Sequence, residues 1–202
     1  MRGQLSIEFL AVMAGFLIMV ATVTLPTYLQ ANFDAEKLSK ISEAKVAANE
    51  LAAGLNHLYA VGPGSRLTIE YSFPAGILNV YLGGYDNLDV DGRLTADETV
   101  PINGRADIQI LMDFNGDGLW DNMRDSIITV DTVLPSRWNE DGTDRGEDWV
   151  KENCLHVEEN GLKVGPEYGT LSNRTFHRTT LIYCYDPSSR YPRRIVVLDE
   201  IR

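Results

Sequence analysis

From residue 5 to residue 25 the chain reads LSIEFLAVMAGFLIMVATVTL, with a single charge, Glu8, among apolar and small hydroxyl residues. About 20 apolar residues at 1.5 Å rise match a hydrocarbon core about 30 Å thick, so the pattern predicts a membrane-length helix. Pro26 follows at once and would remove one backbone hydrogen bond if the helix runs through it. Residues 27–60 are rich in Ala, Leu, Glu and Lys, the composition of a helix. Phe33, Leu38, Ile41, Val46, Leu51, Leu55 and Leu58 fall at spacings of three to five and predict one apolar stripe. Gly62-Pro63-Gly64 is the stop signal. Continuous from Gln4, such a rod spans roughly 80 Å at 1.5 Å per residue.

After Ser65 the period shortens to β-like runs between Gly, Asn, Asp and Pro clusters. Strands are predicted over 66–72, 77–82, 106–113, 126–133, 162–164, 179–185 and 194–198. No helix of useful length separates these runs, which argues against parallel βαβ wiring. The fold class is therefore α+β: a long N-terminal helix followed by an antiparallel β-sheet or β-sandwich head. The domain organisation reads as 1–3 leader, 4–61 helix and 65–202 head.

Composition supports a folded head, with 44% apolar and 23% charged residues. The net charge of −11 excludes nucleic acid as a partner, because no basic stripe offsets the repulsion of phosphates. Residues 86–148 hold sixteen Asp and Glu against five Arg, an excess equal to that of the whole chain. Solubility or cation binding suits so acidic a stretch.

Glu8 is the residue that an ordinary anchor does not explain, because a carboxylate in an apolar helix is costly and marks a function with a partner. Cleavage between Gly3 and Gln4 would create an α-amino group one helical turn from Glu8. Two charges too costly to leave unpaired in an apolar bundle would then fix the register between neighbouring helices. The run Met1-Arg2-Gly3, then Gln4-Leu5-Ser6-Ile7-Glu8-Phe9, resembles the class III signal peptide of archaeal type IV pilins, with its Q-x-S-x-E-F pattern after a short basic leader. The resemblance covers about the first twenty-five residues. It implies that a prepilin peptidase cuts after Gly3, that the apolar helix is kept as a filament core, and that copies of the same or related chains are the partners. It also implies a membrane-bound precursor and then a cell-surface filament, with adhesion as its expected role. Archaellins, the related motility subunits, usually begin with a glycine-rich run, which this chain lacks.

Two loops carry metal-like spacing. Asp113, Asn115, Asp117 and Asp121 occupy positions one, three, five and nine of a calcium-loop pattern, with Gly118 at six. Position twelve is Arg124, and Asp125 is the nearest substitute for the missing carboxylate. In the second loop Asn87, Asp89, Asp91 and Glu98 fall at positions one, three, five and twelve, with Gly92 at six. Structural calcium is the cofactor expectation. The competing reading is that Asp-Gly and Asn-Gly are simply turn residues. Residues 139–148 read as a solvated acidic loop.

Cys154 and Cys184 form the candidate disulfide of an exported domain, worth roughly 2–4 kcal/mol; the alternative is two small buried thiols. Asn173-Arg174-Thr175 is the one N-x-S/T sequon, making Asn173 the candidate glycan acceptor. His57, His156 and His177 read as scattered structural or surface residues. No G-x-S-x-G elbow, phosphate loop or zinc-spaced cluster supports catalysis, so no enzyme is expected. Tyr183, Tyr185, Tyr191, Trp138 and Trp149 read as core and surface anchors. The rival to a filament subunit is a membrane-anchored cell-surface binding protein with a calcium-stabilised β domain.

Overall fold

A computed structural model describes residues 7–82, 105, 107–118, 125–135, 145–153, 156–158, 173–189 and 192–201. The chain divides into two compact units, Met1–Ser39 and Lys40–Arg202. Helix α1 (Ile7–Val61) has Pro26 inside it. The hydroxyls on either side of that proline are turned onto the backbone, Thr22 Oγ1 to Met19 O at 2.8 Å and Thr27 Oγ1 to Val23 O at 2.8 Å. Such bonds are one way an apolar helix satisfies carbonyls around a proline.

In the first unit the apolar side chains have nothing on them. Phe9, Val12, Leu17, Ile18, Met19 and Val23 are all more than half exposed. The helix is long and apolar enough to cross a membrane, and its most apolar 18-residue window is entirely uncovered.

In the second unit the last five turns of α1 have a different face. Ala44, Ala47, Ala48, Leu51, Ala52, Leu55 and Leu58 are buried, a stripe at three- and four-residue steps. The stripe expected from the large residues is therefore half right. Leu51, Leu55 and Leu58 lie in it and Ile41 packs against it, whereas Phe33, Leu38 and Val46 point outward. The core face is widened by alanines, whose small size lets a sheet approach closely. At Gly54 an added Cβ would meet Leu181 Cδ1 at 3.0 Å and Ile69 Cδ1 at 3.4 Å. The helix ends on Gly62, which takes φ 95° and donates its N–H to Leu58 O at 2.9 Å.

Strands β1 (Arg66–Phe73), β2 (Ile77–Leu82), β3 (Ile108–Met112) and β4 (Ser126–Val130) follow. Then come helix α2 (Glu147–Asn153) and strands β5 (His156–Glu158), β6 (Thr175–Tyr185) and β7 (Arg193–Ile201). They make two sheets, β1-β6-β7-β5 and β2-β3-β4, so the α+β class holds. Pairing is antiparallel except between β5 and β7, which run parallel from His156↔Arg194 to Glu158↔Val196. The expected strand over 162–164 lies outside the described residues. Neither β5 nor α2 was legible: three residues are too few for a period, and the Glu147-Asp148 start of α2 reads as part of an acidic loop. Those acids sit where a helix N-terminus favours negative charge.

Phe73, Ile77, Ile108, Ile110, Met112, Leu181, Ile195 and Val197 meet the α1 face in one core. Every residue of β3 is buried, so the centre of the second sheet is covered on both sides. Replacing a leucine of the α1 face leaves a cavity that this close packing cannot refill. Leu55→Ala should lose about 2–5 kcal/mol and Val46→Ala less than about 0.5 kcal/mol. Denaturant unfolding of the full chain in detergent, read by tryptophan fluorescence, checks this; equal losses would mean the wrong helix face has been assigned to the core.

Candidate functional site

The N-terminal candidates sit at the edge of what is described. Gly3 and Gln4 lie outside the described residues, and Glu8 falls in the first turn of α1. Of the second acidic loop, Asn87, Asp89, Asp91 and Glu98 all lie outside the described residues, as do Asp121 and Cys154.

The first acidic loop is better defined. Asp113 and Asp125 face each other just beyond the last ladder pair of the β3–β4 hairpin, Met112↔Ser126. Both are buried, at 3% and 7% exposure. Asp113 Oδ1 accepts from Gly116 N at 2.6 Å and its Oδ2 from Gly118 N at 2.8 Å. Asp125 Oδ1 accepts from Phe114 N at 3.0 Å. Asn115 Oδ1 accepts from Asp117 N at 3.1 Å, and Asn115 Nδ2 donates to Asp117 Oδ2 at 2.8 Å. Gly116 and Gly118 take φ of 75° and 76°, which makes the tight curl possible. A third glycine closes the base: Gly76 O accepts from Asp113 N at 2.8 Å, and a Cβ on Gly76 would sit 2.9 Å from Asp113 O. These are the contacts a turn makes, and a carboxylate oxygen with one N–H bond still has a lone pair free for a hard cation. Among the described residues no group of three or more His, Cys, Asp and Glu converges in a metal-holding geometry.

Cys184 is a half-buried free thiol on β6. The register runs Cys184↔Arg194 and Arg194↔His156, so Cys184 lies two strands from β5, whose first residue comes two positions after Cys154. Asn173 is exposed immediately ahead of β6. Its neighbour Arg174 is paired with Glu43 of α1 at 2.8 Å. His57 is exposed on α1.

His177 is not the isolated residue that its sequence position suggests. Its Nδ1 lies 2.7 Å from Asp199 Oδ2, and both side chains are fully buried. Thr179 Oγ1 donates to Asp199 Oδ1 at 2.5 Å, and Tyr71 OH is 2.8 Å from Thr179 Oγ1. On the far side of the ring, Thr175 Oγ1 is 2.8 Å from His177 Nε2. The assignment that satisfies every atom has Nδ1–H donating to Asp199 and Nε2 accepting from Thr175. Burial first, then the charge of Asp199, pushes the Tyr71 phenol well above its ordinary range and keeps it a donor. The imidazole stacks on Tyr71, with centroids 5.5 Å apart and planes 3° apart, and meets Phe73 edge-on at 5.0 Å.

A hydroxyl on one imidazole nitrogen and a carboxylate on the other can move a proton, but this ring is shut between two aromatic side chains. What the array does is join β1, β6 and β7 through polar atoms inside the core. Its signature was available in the sequence: Thr175, His177 and Thr179 share one strand face, and Asp199 has the same inward parity as Ile195 and Val197.

No protein-family model matches the chain, and neither a curated protein nor a solved structure shows significant similarity to it. The functional reading rests on the residues themselves.

Removing Asp199 leaves the buried His177 Nδ1–H and Thr179 hydroxyl without their acceptor, so Asp199→Ala should cost about 2–5 kcal/mol. Thr68→Val, at the exposed Thr68–Thr180 hydroxyl pair, should cost less than about 0.5 kcal/mol. Chemical unfolding of the two variants compares them; a loss below about 1 kcal/mol for Asp199→Ala would show that the array is not a lock.

Proposed function

We propose that this chain is the structural subunit of a type IV pilin-like archaeal cell-surface filament. A prepilin peptidase cleaves it after Gly3, and it assembles with copies of itself or related pilins through its N-terminal helix. The carrying observation is how far the uncovered apolar surface of α1 extends. It runs from Phe9, 56% exposed, through Leu29, 65%, and Phe33, 51%, to Leu38, 67%. Thirty residues of helix measure about 45 Å, against a hydrocarbon core of about 30 Å. A bilayer holding the most apolar stretch would leave the upper apolar residues in water, whereas sister helices packed side by side can cover both parts. From position 9 to position 25, eleven large apolar side chains are each more than 40% exposed. At about 1.5–3 kcal/mol each, their burial supplies tens of kcal/mol, more than the stability of an ordinary domain. The Q-x-S-x-E-F run at residues 4–9 adds a cleavage point and a registering carboxylate. The precursor resides in the membrane and the product at the cell surface, with adhesion as the role.

The head holds structural calcium at the β3–β4 hairpin mouth, where Asp113 and Asp125 are both buried just beyond the Met112↔Ser126 pair. Two like charges so placed repel each other, and a divalent cation reverses the sign of that interaction. The second reading is a membrane-tethered binding protein, which uses α1 as an anchor only.

Two experiments test these readings. The protein isolated from archaeal cells should begin at Gln4, and Glu8→Ala should insert normally yet enter filaments at least tenfold less well, as loss of about 1.4 kcal/mol or more of pairing requires. A mature terminus at Met1, or undiminished incorporation of Glu8→Ala, would favour the tether. For calcium, the full chain in detergent should melt higher with calcium than with chelator, by about 2.7 kcal/mol at a hundredfold excess over Kd. Asp113→Asn should erase the difference, and a melting temperature indifferent to chelation would remove calcium from the reading.

A further inference from the structure

The inward face of β6 does not end where the core ends. Leu181 and Tyr183 on that face are buried under α1, but α1 stops at Val61, and Tyr185, next on the same face, is 56% exposed. Its register partner is Arg193, half-buried at the start of β7. With Tyr59 from the last turns of α1, and with Gly62 and Pro63 from the turn, Tyr183, Tyr185 and Arg193 line a groove of about 520 Å³.

The groove is held rigidly. Gly64 N donates to Tyr183 O at 2.8 Å, Tyr183 N to Ser65 O at 3.0 Å, and Ser65 Oγ to Gly62 O at 2.7 Å. These bonds tie the turn to β6. The space over Gly62 is open, since a Cβ there would meet nothing within 4 Å.

Three features define what would fit. Tyr185 offers an exposed aromatic face. Burial pushes the Tyr183 phenol above its ordinary range and keeps it a hydrogen-bond donor, and Tyr59 adds a second phenol to the lining. Arg193 bears no carboxylate among the described residues, although the chain carries −11. The adjacent acid, Asp186, is already engaged by Ser188, with the backbone N at 3.0 Å and the hydroxyl at 2.6 Å. A half-buried guanidinium with no carboxylate among the described residues, beside three tyrosines, calls for an anion carried on a flat, hydroxyl-rich body.

We infer that this groove binds one hexuronate residue of an acidic saccharide, a local contact in which a single carboxylate meets Arg193. The ring C–H face lies on Tyr185, the hydroxyls bond to Tyr59 and Tyr183, and the carboxylate takes the Arg193 fork. A peptide added as a strand is disfavoured, because the backbone of Tyr183 is bonded to the turn and Tyr185 is paired with Arg193. The aromatic residues expected to be mere anchors thus include one that is left open. The inference supplies the adhesive role proposed above with a ligand class and rests on that role for its biological meaning. Binding by a single chain does not require assembly, so the two can fail separately.

Calorimetric titration of the full chain in detergent micelles tests it, with trigalacturonate, maltotriose and a proline-rich decapeptide as separate probes. Trigalacturonate should bind saturably, and Tyr185→Ala and Arg193→Gln should each weaken it about tenfold or more, the equivalent of 1.4 kcal/mol. Tyr185→Phe should stay within about threefold of the parent, and all three variants should keep the parent's melting temperature, because Tyr185 and Arg193 lie at the open rim. Absence of trigalacturonate binding, equal affinity for maltotriose, preference for the decapeptide, or indifference to Tyr185→Ala would each overturn the assignment. The mature N-terminus and the Glu8→Ala assembly phenotype would be untouched by any of these results.

Discussion

The close seating of an alanine-lined helix face on two sheets is the contact on which the head depends. Ala44, Ala47, Ala48 and Ala52 line the buried face of the helix together with Leu51, Leu55 and Leu58. Gly54 marks the tightest point, with Leu181 close above it. This seating fixes where Val61 ends, and so where the Gly62-Pro63-Gly64 turn can be tied to Tyr183. The aromatic groove exists because the helix stops one step short of Tyr185.

Two buried carboxylate systems stabilise the head by different means. Asp199 is answered entirely by side chains from its own sheet, His177 and Thr179, with Tyr71 and Thr175 completing the chain. That network closes on itself and couples the β6–β7 pair to β1, which lies more than a hundred residues earlier in the sequence. Asp113 and Asp125 accept from backbone N–H groups of their own loop, which orient the carboxylates. The first system resembles a finished core element. The second gathers acidic side chains at calcium-loop spacing around a hairpin mouth, and that spacing is why a cation is proposed there.

Much of the architecture was legible because its periods are strong. The apolar run, the Gly-Pro-Gly stop and the span of β2 follow directly from residue pattern, and β1 is missed by one residue. Failures came where identity and role diverge. Setting Val46 on the apolar stripe and passing over the alanines follows from ranking residues by hydrophobicity, whereas Ala44, Ala47, Ala48 and Ala52 are the buried ones. His177 looked scattered because Asp199 and Tyr71 are remote in sequence, and only register brings them together. The β7 strand extended past its expected end because Asp199 and Glu200 read as a polar exit, whereas Asp199 points inward to a partner.

The helix also carries a demand that the head cannot meet. Its first unit exposes a surface that water will not tolerate, and a lipid bilayer covers only part of it. Neighbouring helices would cover the remainder, but crowding would bring the heads together, and each whole chain has an excess of eleven negative charges. Self-repulsion at that density opposes assembly unless the acidic stretch is screened or neutralised. Residues 86–148 hold the equivalent of the whole excess and include both calcium-like loops, so divalent binding there would lower the repulsion where it is greatest. On this reading the hydrophobic helix and the acidic loops are parts of one problem: the first drives chains together, and the second sets the ionic condition under which they can stay so.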